Sequence, residues 1–266
     1  MIQSWSLQGK RESNEDQHFS ILNINNDFPT INNVNMVGVF DGHGGKLVSK
    51  FLKINLPKYI LKKTKINIYQ QKSYVSLQFF EKLFDKLQDE LIKLHPIAAQ
   101  RCGSTALCGV NYIDVNNRSM IWIANVGDSR AVLFDNKNTA IPLTKDHKPN
   151  SISEKKRIEH LGGKIKFDGA DWRVGDLSLS RAIGDLDNTP YVTHCPEVFR
   201  YKLNKKDKFI IFACDGLWDV VNNVTACKYI DKLMEEKYNG NIAKKLAEYA
   251  IEKGSYDNVT VSILFL

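Results

Sequence analysis

Two apolar runs in this chain stop abruptly at an aspartate followed by a glycine. Val34-Asn35-Met36-Val37-Gly38-Val39-Phe40 ends at Asp41-Gly42-His43-Gly44-Gly45, and Lys208-Phe209-Ile210-Ile211-Phe212-Ala213-Cys214 ends at Asp215-Gly216. The last apolar stretch, 259–266, begins directly after Asp257-Asn258. Short apolar runs bounded by turn residues read as buried strands. Strands that share one core bring residues far apart in sequence to a common rim. A carboxylate at such a rim has to pair with a cation or shift its pKa. No arginine cluster matches these acids, so the pattern implies bound metal, and oxygen-only ligands select hard cations such as Mg²⁺ or Mn²⁺.

Arg11-Glu12-Ser13-Asn14-Glu15-Asp16 adds further acids and one arginine. Four carboxylates, Glu15, Asp41, Asp215 and Asp257, balance two divalent ions and leave room for a phosphate dianion attracted by Arg11. A two-metal site of this kind bridges a hydroxide, lowers its pKa and aims it in line at phosphorus. Any single Asp-Gly is more simply a turn. The repetition at strand ends carries the reading.

The 266 residues, 43% hydrophobic and 25% charged, suit a folded chain with ample core. No apolar run approaches the roughly 20 residues that cross a bilayer. Five scattered cysteines without a C-x-x-C predict neither a zinc site nor a disulfide framework, and an intracellular setting, cytoplasmic or nuclear, is expected. The net charge of +7 is local: eight lysines fall between Lys46 and Lys72, and no acid lies between Asp41 and Glu81. With no arginine and few aromatics at base-stacking spacing, that segment predicts a solvated helix face or a surface for an acidic partner, with no specific nucleic-acid binding.

Strands are expected at 2–8, 17–24, 34–40 and 208–214. The runs 120–126 and 130–134 read as a hairpin closing at Gly127-Asp128. A helix near 46–62, with Leu47, Phe51, Ile54 and Tyr59 on one face, is expected to break at Pro57. Further helices are expected at 75–94, 152–161, 224–236 and 241–253, and residues 164–176 read as irregular. Grouped strands and paired helices predict an α+β layered domain, one unit over 1–266.

Ten blocks now line up in order with one family: Arg11 to Asp16; Phe40 to Gly45; Gly103-Ser104-Thr105-Ala106; Asn125-Val126-Gly127-Asp128-Ser129-Arg130; Leu143 to Pro149, containing Asp146-His147-Lys148; Glu154 with Arg157-Ile158 and Gly162-Gly163; Leu179-Ser180-Arg181-Ala182-Ile183-Gly184-Asp185; Pro196-Glu197; Cys214 to Asp219; and Asp257-Asn258-Val259-Thr260. They span 11–261. The chain resembles the metal-dependent Ser/Thr protein phosphatases of type 2C, the PPM family. The resemblance implies a central β-sandwich of two antiparallel sheets flanked by pairs of α-helices, four layers in the order αββα, with a flap at about 150–176. It implies hydrolysis of phosphoserine and phosphothreonine in phosphoprotein substrates by a metal-bridging hydroxide, with Mn²⁺ or Mg²⁺, two in the core and a weaker third. A monomer is expected.

By the same resemblance Asp41 bridges both metals, Asp215 and Asp257 complete the shell of the first, and Glu15 with the Gly42 carbonyl serves the second. Asp16 orders metal-bound water, Arg11 grips the substrate phosphate and His43 protonates the leaving alkoxide as general acid. Asp128 and Asp219 match acids of the third metal. Read alone, His43 could be a metal ligand or a turn residue, and Asp128 and Asp219 a hairpin turn and a helix-start cap. Two competing functions stand beside the phosphatase: a non-catalytic binding module of the same fold, and a phosphoesterase for small molecules or nucleic acid.

Two other motifs fail on chemistry. His194-Cys195-Pro196-Glu197-Val198-Phe199-Arg200 imitates a cysteine phosphatase loop but has one residue too few, a proline without an N–H and an anionic glutamate. Gly44-Gly45-Lys46 lacks the Ser or Thr that a phosphate-binding loop places next, because Leu47 stands there.

Overall fold

The computed structural model describes residues 1–22, 34–69, 76–114 and 116–266, and side chains outside 63–69. Residues 23–24 of the second expected strand, and Lys72 of the lysine segment, lie outside the described residues.

Ten strands form two five-stranded sheets. One is ordered Ile2–Leu7, Val259–Phe265, Asp207–Ala213, Arg130–Asp135, Ala140–Pro142. The other is ordered Glu197–Lys202, Ser119–Val126, Ala106–Ile113, Asn35–Phe40, Gln17–Ile21. Every neighbouring pair is antiparallel.

The period-two alternation of strand side chains explains the layering. Val37 and Val39 face inward and meet Leu107, Ile123, Leu133, Ile210 and Phe212 between the sheets. Met36 and Phe40 face the other way, against Leu52, Leu56, Phe80, Phe84 and Leu91 of two helices. On the opposite sheet Phe134, Ile211 and Ile263 pack on Ala226, Ile230, Leu246 and Ala250. The result is the expected αββα stack, with helices Leu47–Tyr69 and Leu77–Leu94 on one side and Asn223–Glu235 and Ile242–Glu252 on the other. Among the described residues no helix is long and apolar enough to cross a membrane.

Four local expectations are corrected. The helix Leu47–Tyr69 runs through Pro57 without a break. A mid-helix proline costs about 3 kcal/mol, whereas burying Leu52, Leu56 and Ile60, all fully covered, returns roughly 1.5–3 kcal/mol each. Packing wins. The buried face is Val48, Phe51, Leu52, Leu56 and Ile60, and Ile54 is exposed. The expected hairpin at Gly127-Asp128 does not form, because Ser119–Val126 and Arg130–Asp135 belong to different sheets. Residues 127–129 carry the chain across the sandwich, with Gly127 at φ +101° against the Thr105 side chain. Residues 164–176 are not irregular throughout, since Ile165–Phe167 and Trp172–Val174 pair as a small hairpin.

The Cys195 decoy is excluded by backbone as well as by composition. Glu197 and Arg200 sit in an extended strand paired to Ser119–Val126, which cannot wrap an anion.

The flap region is tied down by one buried acid. Glu154, 1% exposed, accepts from Arg181 at 2.5 Å, from Arg157 at 2.8 Å and from the Ser180 hydroxyl at 2.9 Å. Burial alone would raise its pKa, but Arg181 and then Arg157 overturn this and hold it at about 2. The carboxylate's contribution is therefore complete above the unfolded value near 4.5 and is lost as pH falls toward 2. Glu154→Gln, which leaves two guanidinium groups without their anion, should lower unfolding free energy by about 3–5 kcal/mol in urea at neutral pH. It should also remove this part of the acid dependence; a variant as stable as the parent would contradict the assignment.

Candidate metal centre and active site

The cleft lies where the two sheets present their strand ends. It has a volume of about 510 Å³ and is lined by Arg11, Glu15, Asp41, Gly42, His43, Asp128, Asp215 and Asp257, with Arg173 and Leu177 from the flap side. Residues from both ends and the middle of the chain thus converge, as the repeated strand-end acids predict. Asp219 lines an adjoining groove with Lys10, Arg11 and Asp257.

The segment that carries Arg11, Glu15 and Asp16 is sutured to the last strand by Asn258. Its Oδ1 accepts from Glu15 N at 2.8 Å, and its Nδ2 donates to the Gln8 and Ser13 carbonyls at 2.7 and 2.9 Å. Gly9 at φ +63° approaches so closely that a Cβ there would meet the Asp257 carbonyl at 2.0 Å. Across the rim, Gly42 backs onto the Glu15 carbonyl, which the Ser49 hydroxyl also reaches at 2.5 Å. Glu15 Oε2 accepts from Gly45 N at 3.0 Å. Asp41 is pinned by Thr105, whose Oγ1 accepts from Asp41 N at 3.0 Å while Thr105 N donates to the Asp41 carbonyl at 2.9 Å.

Asp16 and Asp41 form, with Cys214, a cluster whose potential ligand atoms lie within 4.8 Å of one another. Asp16 is 2% exposed, and neither of its carboxylate oxygens has a hydrogen-bond donor. Burial raises its pKa to about 6. Burial followed by the charges of Asp16, Asp215 and Asp128 raises Asp41 well above the carboxylate range. Burial and then Asp128, against Lys148, raise Asp215 to about 8. Such a constellation is held apart by its own charge and calls for a cation.

The donor chemistry selects which cation. Burial and the neighbouring acids push the Cys214 thiol far above its ordinary value, and its sulfur already accepts from Thr260 N at 3.2 Å. The same sulfur donates to the Asn258 carbonyl at 3.5 Å, so both of its hydrogen-bonding roles are already taken. The remaining donors are oxygens, which suit a hard divalent ion.

Two basic groups face the acids. Arg11 donates to Asp257 Oδ2 at 2.7 Å, and that bond, with the charges of Asp257, Asp41 and Asp215, raises its pKa. Its side chain remains largely exposed at the cleft mouth. Lys148 Nζ lies 2.5 Å from Asp128 Oδ2 and 3.7 Å from Asp215 Oδ2. Burial works against the ammonium, but Asp128, Asp215 and Asp219 overcome it and raise its pKa.

His43 Nε2 faces Asp185 Oδ2 at 2.6 Å. A small sheet makes this pair. Gly103–Ser104 lies between Gly42–His43 and Ile183–Gly184, so both residues lean over Gly103. A Cβ on Gly103 would sit 2.0 Å from Asp185 Oδ2 and 2.5 Å from His43 Nε2. Burial lowers the His43 pKa, and the hydrogen bond and charge of Asp185 more than reverse this, leaving it raised.

Asp185, Lys148 and Asn258 were not singled out as site residues from sequence. Each stands inside one of the ten motif blocks, which is the signal that could have found them.

The family model described as Protein phosphatase 2C matches residues 2–259. The chain is 46% identical over 173 residues to a PP2C-like domain-containing protein of Acanthamoeba polyphaga mimivirus, covering 56% of this chain and 96% of that one. It is 33% identical over 269 residues to Protein phosphatase 1L of Bos taurus, covering 98% of this chain and 71% of that one. A solved structure of a C. elegans sex determining protein superposes with a TM-score of 0.86 at 27% identity, over 100% of this chain and 64% of the other. For the fold alone, serine-threonine phosphatase 2C from Toxoplasma gondii gives a TM-score of 0.83 at 24% identity, over 99% of this chain and 94% of the other. The chain belongs to the protein phosphatase 2C family, the metal-dependent enzymes that hydrolyse phosphoserine and phosphothreonine in proteins.

Proposed function

We propose that this chain acts as one catalytic domain over 1–266, with about 150–176 as its flap, and removes phosphate from phosphoprotein side chains with Mn²⁺ or Mg²⁺. Asp41, Glu15, Asp16, Asp215, Asp257 and the Gly42 carbonyl would hold two such ions, and Asp128 with Asp219 a third. The observation that carries this is the buried Asp16 carboxylate, both oxygens without a donor, beside Asp41 in a cleft that also holds Arg11 and the His43–Asp185 pair. When bound, such ions supply Lewis-acid charge at phosphorus and an activated water as nucleophile.

The chain's own groups do the rest. One arm of the Arg11 guanidinium meets Asp257, and its remaining donors are free to grip phosphate oxygens in a fork. With Nε2 committed to Asp185, the nitrogen available to a leaving alkoxide is Nδ1 of His43. A serine or threonine alkoxide leaves poorly unless it is protonated, and a placed acid is worth about 10²–10⁴-fold.

Both sheets have their outer faces covered by helices, which supports a monomer. All five cysteines stand unpaired, which supports a reducing compartment, cytoplasm or nucleus.

The direct test is hydrolysis of a phosphothreonine peptide by protein stripped with EDTA, before and after Mn²⁺ is returned. Turnover should vanish and be restored; turnover indifferent to metal would contradict the reading. The stripped protein should also gain thermal stability on adding Mn²⁺, because the ions bind only the folded cluster. Arg11→Ala should lower kcat/KM through a charge-assisted contact worth about 1.5–3 kcal/mol, seen chiefly as a raised KM. His43→Ala and Asp185→Asn should each slow the phosphothreonine peptide by about 10²-fold or more and an aryl phosphate far less, since an aryl oxide leaves without a proton. Equal losses on both substrates would count against His43 as the acid.

A further inference from the structure

We propose that the Lys148 ammonium is the resident counter-ion of Asp128, the buried acid of the outer ion, and that a divalent cation enters there only by displacing it. The proposal rests on the phosphatase reading of this cleft and assigns Lys148 a positioning role in metal uptake.

The geometry is that of a cation already in place. Lys148 Nζ stands 2.5 Å from Asp128 Oδ2 and 3.7 Å from Asp215 Oδ2, and the Asp128 side chain is 2% exposed. A hard dication on Asp128 needs its oxygen at roughly 2.0–2.6 Å. The nitrogen occupies that place on Oδ2. The other base nearby cannot substitute: Arg130 donates to both Asp146 oxygens at 2.9 and 2.6 Å and to Asn223 at 2.7 Å.

Lys148 is built to leave. Its neighbour His147 is fixed: the His147 carbonyl accepts from Ser180 N at 2.8 Å and from Ser180 Oγ at 2.9 Å, and its Nδ1 accepts from Gly127 N at 3.1 Å. The backbone is therefore held while the four-carbon stem can rotate. The side chain is partly open to solvent, where an ammonium is strongly hydrated. Uptake of the outer ion is then an exchange, two charges in and one out. It must be weaker than uptake at Asp16 and Asp41, neither of which pairs with a basic side chain among the described residues. The lysine thereby sets the cation concentration at which the outer acids fill.

The test is calorimetric titration of Mn²⁺ into the metal-free full chain and into Lys148→Met. The weakest event should tighten by about tenfold or more, given what a unit charge at this distance is worth, and the two tighter events by clearly less, because Lys148 reaches only Asp215 among their ligands, at 3.7 Å. Lys148→Arg, which keeps a cation, should leave the weakest event near the parent value. An unchanged or weakened last event in Lys148→Met, equal tightening of all events, or no third event in either protein would overturn the proposal. Should Lys148→Met fail to fold, ¹³Cε-labelled lysine in the unmodified sequence gives the same answer with Mg²⁺. The Lys148 resonance, identified by its loss in Lys148→Arg, should shift with the weakest event, and a resonance unmoved there would overturn the idea. Failure of the phosphatase reading would show separately, as absent metal-dependent hydrolysis of a phosphopeptide.

Discussion

Asp16 and Asp41 hold their carboxylates within 4.8 Å of each other, and Asp128 and Asp215 flank one ammonium in the same cleft. At the spacing of the Asp16 and Asp41 oxygens, within 4.8 Å, two unit charges repel by roughly 3–4 kcal/mol at an effective dielectric near 20. A whole domain is stable by only about 5–15 kcal/mol. Several such contacts cannot all stand ionised unless something positive is held among them. Lys148 and Arg11 supply part of that charge, and hard dications account for the remainder. The same repulsion that makes the site costly makes it selective for small, highly charged partners.

What keeps the acids together is a scaffold that does not depend on them. The apolar layers between and outside the sheets fix where strands end, and Asp41, Asp215 and Asp257 ride on those ends. Asn258 ties the Gln8–Asp16 segment to the final strand through three hydrogen bonds. Gly103 lets His43 and Asp185 meet where any side chain would collide. Each catalytic candidate is thus positioned by a backbone feature already satisfied elsewhere.

The parts of this arrangement legible in sequence are those in which the signal is local and covalent. An apolar run followed at once by Asp41 or Asp215 places the acid at a strand end whatever the partner strands are. The helix stripes of 75–94 and 241–253 were legible because burial follows a single period. The Gly127-Asp128 crossing was not, since a sharp turn within one sheet and a passage between two sheets use the same residue types. Pro57 misled because propensity is a local cost, and the burial of Leu52, Leu56 and Ile60 is a tertiary gain. Asp185 and Lys148 gain their meaning only from side chains 20 or more residues away, Asp185 from His43 and Lys148 from Asp128 and Asp215. No reading of spacing along the chain could place them.

The most direct test of the whole account is anomalous diffraction from crystals of the full chain soaked in Mn²⁺. The account predicts two strong anomalous peaks among the oxygens of Asp41, Asp16, Glu15, Asp215 and Asp257, with the Cys214 sulfur outside bonding distance of either. An empty cluster at saturating Mn²⁺, or an ion held through the Cys214 sulfur, would contradict it.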